Sequence, residues 1–339
     1  MPKPDSFERV IFGHNTLCRP NAPFTLPCMT ATGALATMPG VKQPVIEVAG
    51  NGSSTPADGR AVQSKGQCVA AERGVGPMLT RLFISHGGGP LPLLGDPGHA
   101  ELVAALQRIA TELPRPRAII VASAHWEAAQ PTVTTGAAPE LFYDYYGFPP
   151  ESYAIAYPAP GHPELAADVL AALEGAGLEA AGDASRGFDH GLFVPLKILY
   201  PEADIPCIQL SLLASMDPGA HLRMGRALAA LDGEGMLLIG SGSSFHNVQA
   251  FFGQREPALY TRNRAFEDWL VDTLAEAPLD DAEREARLLH WAQAPHARFC
   301  HPREEHLLPL LVCAGVAPGP ATRVWRFGSM GMQGSCFAW

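Results

Sequence analysis

Four short apolar runs, Leu82–Ile84, Ala118–Val121, Ile205–Leu210 and Met236–Ile239, alternate with segments whose apolar residues recur at helical spacing. Short runs of this kind, rich in β-branched residues and bounded by turn residues, read as buried strands. Between them, Leu102, Leu106, Ile109 and Leu113 define a helix entered through Asp96-Pro97, with Asp96 as cap and Pro97 as first helical residue. Pro163 opens a second helix with Leu165, Val169 and Leu173 on one side, and further helices are predicted near 219–231, 257–275 and 281–292. Strands alternating with helices need both sheet faces covered. The expectation is therefore an α/β fold, with a central parallel-rich mixed sheet flanked by helices.

The chain divides unevenly. Of its 27 aromatic residues, only Phe7, Phe12 and Phe24 precede Arg81. The stretch before Arg81 is built of Pro, Gly, Ser, Thr and Ala and lacks either period, so residues 1–80 read as a poorly ordered N-terminal extension. Residues 81–339 read as a single catalytic domain. The formal charge of −10 repels phosphate backbones, and no basic stripe offsets it, so nucleic acid is not an expected partner. No apolar run reaches the roughly 18 residues of a membrane span. Seven cysteines without a Cys-x-x-Cys pair or a secretory leader fit reduced thiols and a cytoplasmic location. Twelve histidines carry more information, because imidazole is the commonest metal ligand and acid–base group.

Three predicted strands end alike. Arg81 to Ile84 leads into Ser85-His86-Gly87-Gly88-Gly89-Pro90, Ala118 to Val121 into Ser123-Ala124-His125-Trp126, and Met236 to Ile239 into Gly240 through His246-Asn247. In open α/β sheets ligands bind outside the carboxyl ends of the strands, so these histidines can meet in one crevice. His190, in Phe188-Asp189-His190-Gly191, enters another apolar helix. His301 through Leu311 reads as a helix start carrying Glu304, Glu305 and His306. Adjacent helical side chains diverge by about 100°, so Glu305 and His306 would not both face one site. Spacing alone matches no local zinc signature. His14, His99, His162, His221, His290 and His296 lack comparable context and read as surface or packing residues.

In this order, the Ser85-His86-Gly87, Ser123-Ala124-His125-Trp126, Phe188-Asp189-His190-Gly191, Gly242–Asn247 and Glu305–Leu311 segments resemble the class III extradiol ring-cleavage dioxygenases, in their 4,5-DOPA dioxygenase-like branch. Asp144–Pro149, Tyr157–Gly161 and Gly328-Ser329-Met330 fit as linking segments, and the resemblance spans about residues 81–339. It implies metal ligation by His86, His125 and a third residue at Glu305-His306, for which His306 is chosen. It implies an acid–base role for His246, which can join the metal shell in zinc-bound members, and substrate contact by His190, with Asp189 either orienting it or capping its loop.

The implied activity is extradiol cleavage of a catechol-type substrate with O2, dependent on Fe(II), with Zn(II) an alternative occupant in isolated protein. Three protein ligands on one face leave room for substrate and dioxygen together. Two other readings stand beside it: a zinc hydrolase on the same scaffold, and a non-catalytic metal-binding relative. Arg186 and Lys197 could meet a substrate carboxylate, or be solvated charges. Tyr143, Tyr145, Tyr146 and Tyr153 could wall a pocket, or simply pack.

Overall fold

A computed structural model describes residues 79–339, apart from 232, 254 and 255. The extension expected over residues 1–80 lies outside the described residues as far as residue 78. Leu79 is buried in a hydrophobic cluster and Thr80 pairs in the sheet with Leu237, so these two belong to the folded part of the chain rather than to an extension.

In chain order the elements are β1 (Thr80–Ser85), α1 (Ala100–Glu112), β2 (Ala118–Ala128), β3 (Thr132–Thr134), α2 (Pro163–Gly175), β4 (Ala181–Asp183), α3 (His190–Leu199), β5 (Cys207–Leu213) and α4 (Pro218–Leu228). They continue with β6 (Met236–Gly242), α5 (Val248–Phe252), α6 (Pro257–Val271), α7 (Asp281–Leu289), α8 (Ala297–Cys300), α9 (Leu308–Gly315), β7 (Arg323–Ser329) and β8 (Met332–Ala338). Among the described residues one eight-stranded sheet runs in the order β4-β3-β5-β2-β6-β1-β8-β7. Its centre, β5-β2-β6-β1, is parallel. β3 joins β5 and β8 joins β1 antiparallel, which makes the sheet mixed as expected. No helix among the described residues is long and apolar enough to cross a membrane.

Period-two alternation in the central strands feeds two cores. Ile119 and Val121 pack with α1 and α3 through Leu106 and Leu196, whereas Ile120 and Ala122 point to the other face, against Val169, Met224 and Val312. Each Leu, Ile or Val so buried stabilises the fold by about 1.5–3 kcal/mol. A third cluster, including Phe83, Phe266 and Phe337, seats α6 against β1 and β8.

Some local expectations fail for identifiable reasons. Asp96 makes no capping bond; its carboxylate is taken by His99 Nδ1 at 2.6 Å, Pro97–His99 forms a 3-10 turn, and α1 begins at Ala100. The helix expected from His301 starts only at Leu308. Pro163 does open α2, capped by the His162 ring, which accepts from the Leu165 N–H.

Candidate metal centre

Because β5, β2, β6 and β1 are parallel neighbours, their carboxyl ends form one rim, and the strand-terminal histidines arrive there from separate parts of the chain. His86 follows β1 directly, its N–H donating to the Gly242 carbonyl at 3.1 Å. Gly87, next in sequence, has φ +85°, which favours glycine, and an added Cβ would sit 2.5 Å from Pro92 Cγ. His125 lies inside β2, where the register against β5 shifts between Ala122 and Glu127. Such an irregularity bends the strand and re-aims a side chain. His306 occupies the turn before α9. That turn closes on β6 because position 242 lacks a side chain: a Cβ there would lie 2.1 Å from the His306 carbonyl oxygen, which accepts from the Ser243 N–H at 2.9 Å.

His86, His125 and His306 each offer one nitrogen to a group whose members lie within 4.8 Å of one another. Ser241 Oγ donates to the Gly191 carbonyl and therefore accepts from His86 Nδ1 at 3.0 Å, which leaves the lone pair of His86 on Nε2. His306 Nδ1 lies 2.9 Å from Glu305 Oε1, which leaves its lone pair on Nε2 as well. His125 turns Nδ1 toward Asp144 Oδ2 at 3.5 Å and Nε2 toward His86 Nε2 at 2.9 Å. Two imidazole lone pairs at that distance repel unless a cation or proton is shared between them. Burial, reinforced by the neighbouring histidines, lowers all three pKa values, that of His306 to about 3. Neutral imidazoles with converging lone pairs and acceptors behind their Nδ1 atoms are the donor set that holds Fe(II) or Zn(II).

Glu305 serves two rings at once. Its Oε1 is 2.9 Å from His306 Nδ1 and 3.2 Å from His246 Nδ1, and the two rings stack with centroids 3.4 Å apart. Burial pushes the Glu305 carboxyl up, but hydrogen bonds from His246 and His306 outweigh it and hold the carboxyl well below the usual range. The expectation that helical geometry separates Glu305 from His306 is thus corrected: both lie in a turn, and their side chains touch. Among the described residues, Glu305 falls outside the group formed with His86 and His125.

His190, at the start of α3, lies 3.8 Å from His125 between ring centroids. Its partner is Asp144, whose Oδ1 is 2.7 Å from His190 Nδ1 and accepts the His190 backbone N–H at 3.0 Å. Burial lowers the His190 pKa, yet the Asp144 charge and hydrogen bond more than reverse that and leave it raised. Asp189, expected either to orient His190 or to cap its loop, makes no side-chain cap at α3 and leaves His190 to Asp144. Its buried carboxylate accepts from Ser123 Oγ at 2.8 Å, from Gln209 Nε2 and from Arg186 at 3.2 Å, while Ser123 Oγ accepts the His125 backbone N–H at 3.2 Å. Asp189 therefore braces β2 beneath His125.

His86, His125, His190 and His246 line a cavity at this rim, and His99 lines it too. His99 is buried, not a surface residue; its Nε2 accepts the Gly88 N–H at 3.1 Å, which ties the glycine turn after His86 to Asp96. Arg186 and Lys197 stay outside the cavity lining, Lys197 donating to the Ala156 carbonyl at 2.9 Å. The four tyrosines also stay outside; Tyr143 and Tyr145 pack against Phe193 and donate to backbone carbonyls. His221 is a buried hydrogen-bonder, and His14 lies outside the described residues.

Residues 89–337 match the family model described as the catalytic LigB subunit of aromatic ring-opening dioxygenase. The chain is 44% identical over 269 residues to dioxygenase tasH of Hapsidospora irregularis, covering 74% of this chain and 80% of that protein. It is 38% identical over 238 residues to the 4,5-DOPA dioxygenase extradiol of Beta vulgaris, covering 69% and 85%. With the protein of that name from Escherichia coli (strain K12) it shares 34% identity over 242 residues, covering 71% and 86%. The crystal structure of an uncharacterized Escherichia coli K12 protein matches with a TM-score of 0.60 at 30% identity, covering 77% of this chain and 99% of that one. The ordered histidine motifs and the matched span agree: this chain belongs to the LigB family of aromatic ring-opening dioxygenases.

Proposed function

We propose that residues 81–339 form a metal-dependent dioxygenase that opens a catechol-type ring at an extradiol bond with O2, using Fe(II). The observation that carries this reading is the convergence of His86, His125 and His306, three neutral imidazoles from distant segments, with their donor nitrogens within 4.8 Å of one another. When bound, Fe(II) acidifies the catechol hydroxyls and provides open positions for substrate and dioxygen.

The chain's own residues do the rest. His86, His125 and His306 hold the ion, and Ser241, Asp144 and Glu305 keep their rings aimed. His190, anchored through Nδ1 on Asp144, presents its opposite edge to a bound catechol oxygen. His246, anchored through Nδ1 on Glu305, takes and returns a proton at the reacting oxygens, a role that suits an imidazole near neutral pH.

Anaerobic Fe(II) reconstitution followed by an oxygen-electrode screen of catechols tests the reading. Oxygen uptake with a yellow ring-opened product is the expected result. No uptake by any catechol, or unchanged metal content in His125→Ala, would sink it.

A further inference from the structure

We infer that the substrate is a catechol whose ring substituent is uncharged and apolar, selected by a wall of Phe245, Phe251, Phe327, Met330 and Met332. The inference rests on the dioxygenase reading and narrows its substrate class.

The cavity lining combines two unlike kinds of side chain. Its lining includes five histidines, and the large apolar side chains Phe245, Phe251, Phe327, Met330 and Met332 come from two segments remote in sequence. Phe245 and Phe251 come from the stretch after β6, packed edge to face with ring centroids 5.3 Å apart. Phe327, Met330 and Met332 come from the β7–β8 hairpin, whose tip is pinned by the Met330 N–H donating to the Gly98 carbonyl at 2.7 Å. Phe251 and Met330 are only half-buried, whereas Phe245, Phe327 and Met332 belong to the buried core and still reach the cavity lining.

Charge is missing from that space. Among the described residues lining the cavity there is no Lys, Arg, Asp or Glu; its polar side chains are histidines, serines and one glutamine. Nearby cations are already engaged. Arg186 pairs with buried Asp189, and Arg303 grips Glu127 with two bonds of 2.6 and 2.7 Å. A substituent carboxylate or ammonium entering the cavity would shed water and meet no Lys, Arg, Asp or Glu side chain in the lining, which opposes binding. An alkyl or aryl substituent gains instead, since each methylene placed in an apolar pocket is worth roughly tenfold or more in specificity. Methionine side chains adapt their shape to such groups.

The test compares 4-butylcatechol with 3-(3,4-dihydroxyphenyl)propionate on the Fe(II)-loaded full chain, by oxygen uptake and by anaerobic calorimetry. The expected result is a kcat/KM at least about tenfold higher for the butyl compound, with tighter binding. Equal or better turnover of the carboxylate overturns the inference and leaves the dioxygenase reading standing. Should neither compound consume oxygen, the wider catechol screen decides the dioxygenase reading and calorimetry alone decides this one. In that case tighter binding of the butyl compound still supports an apolar aromatic site, and equal or weaker binding overturns it. Phe251→Arg, with Met330→Lys as a second variant on the other segment, is expected to cut the butyl preference at least about tenfold by supplying a counter-charge. An unchanged preference in a folded variant refutes the role given to the wall.

Discussion

The Asp144 carboxylate accepts both the Nδ1–H and the backbone N–H of His190, at 2.7 and 3.0 Å, across 46 residues of sequence. One oxygen thereby fixes a ring and the first residue of α3 together. The other oxygen lies 3.5 Å from His125 Nδ1, so the same side chain steadies a proposed substrate contact and a proposed metal ligand.

Replacing that charge should be felt at both. Partners behind metal-ligating or catalytic histidines typically contribute about 10–100-fold to affinity or activity. Asp144→Asn keeps the shape and one acceptor but removes the charge, and a loss of kcat/KM in that range is expected in Fe(II)-reconstituted protein. Turnover within twofold of the parent would show that Asp144 only caps α3.

Glu305 and His306 compete in sequence for the third place at the metal, and their geometry separates them. Glu305 Oε1 is occupied by the Nδ1 atoms of His246 and His306, whereas His306 shares a ligand group with His86 and His125. His306→Ala should abolish tight metal binding, while Glu305→Gln should weaken it by about 10–100-fold, as loss of a supporting carboxylate does. Competition titration with a chelating dye reads both. The reverse order would make Glu305 the ligand.

Strand ends were readable because the signal is local: an apolar run, then a histidine, then small residues, as at Ile84-Ser85-His86-Gly87. Asp144 was not, because its role depends on a tyrosine-rich segment returning to the start of α3, and nothing near it in sequence reports that return. The late start of α9 was hidden for a similar reason. The His306 carbonyl is taken by the Ser243 N–H of the segment after β6, so the acidic turn before Leu308 stays outside the helix. Asp96 looked like a helix cap until His99 claimed its carboxylate, a competition between two local partners that the sequence does not rank. The β7–β8 hairpin escaped notice although alternate residues of Trp325-Arg326-Phe327 are buried and exposed, because three residues of alternation lie below what periodicity distinguishes.

His246 stacks on His306 and anchors Nδ1 on Glu305, yet it is absent from the group formed by His86, His125 and His306. Removing it should spare the ion and harm the chemistry. Positioned acid–base catalysis contributes about 10²–10⁴-fold, so His246→Ala should turn over catechols at least about 100-fold more slowly while retaining most of its iron. Near-normal turnover would refute the proton role, and loss of metal in parallel with activity would move His246 among the ligands.

Outside the ligand group, Glu267 on α6 is buried, with Oε2 accepting from Ser335 Oγ at 2.8 Å and Oε1 lacking any hydrogen-bond partner. Burial pushes its carboxyl from 4.5 up to about 7, against hydrogen bonds from Ser244 and Ser335 and the more distant charge of Arg326. The folded protein therefore keeps a proton that the unfolded chain releases. Below pH 4.5 both states are protonated and nothing is lost; as pH rises to about 7 only the unfolded chain ionises, and stability falls. A shift of this size corresponds to a loss on the order of 3 kcal/mol, complete once pH exceeds the folded value. Glu267→Gln cannot ionise, so its stability relative to the parent should rise by about 1–3 kcal/mol between pH 5 and pH 8. Urea midpoints at the two pH values measure the difference, and a gap between variant and parent that stays constant with pH would mean that Glu267 is ionised in the fold.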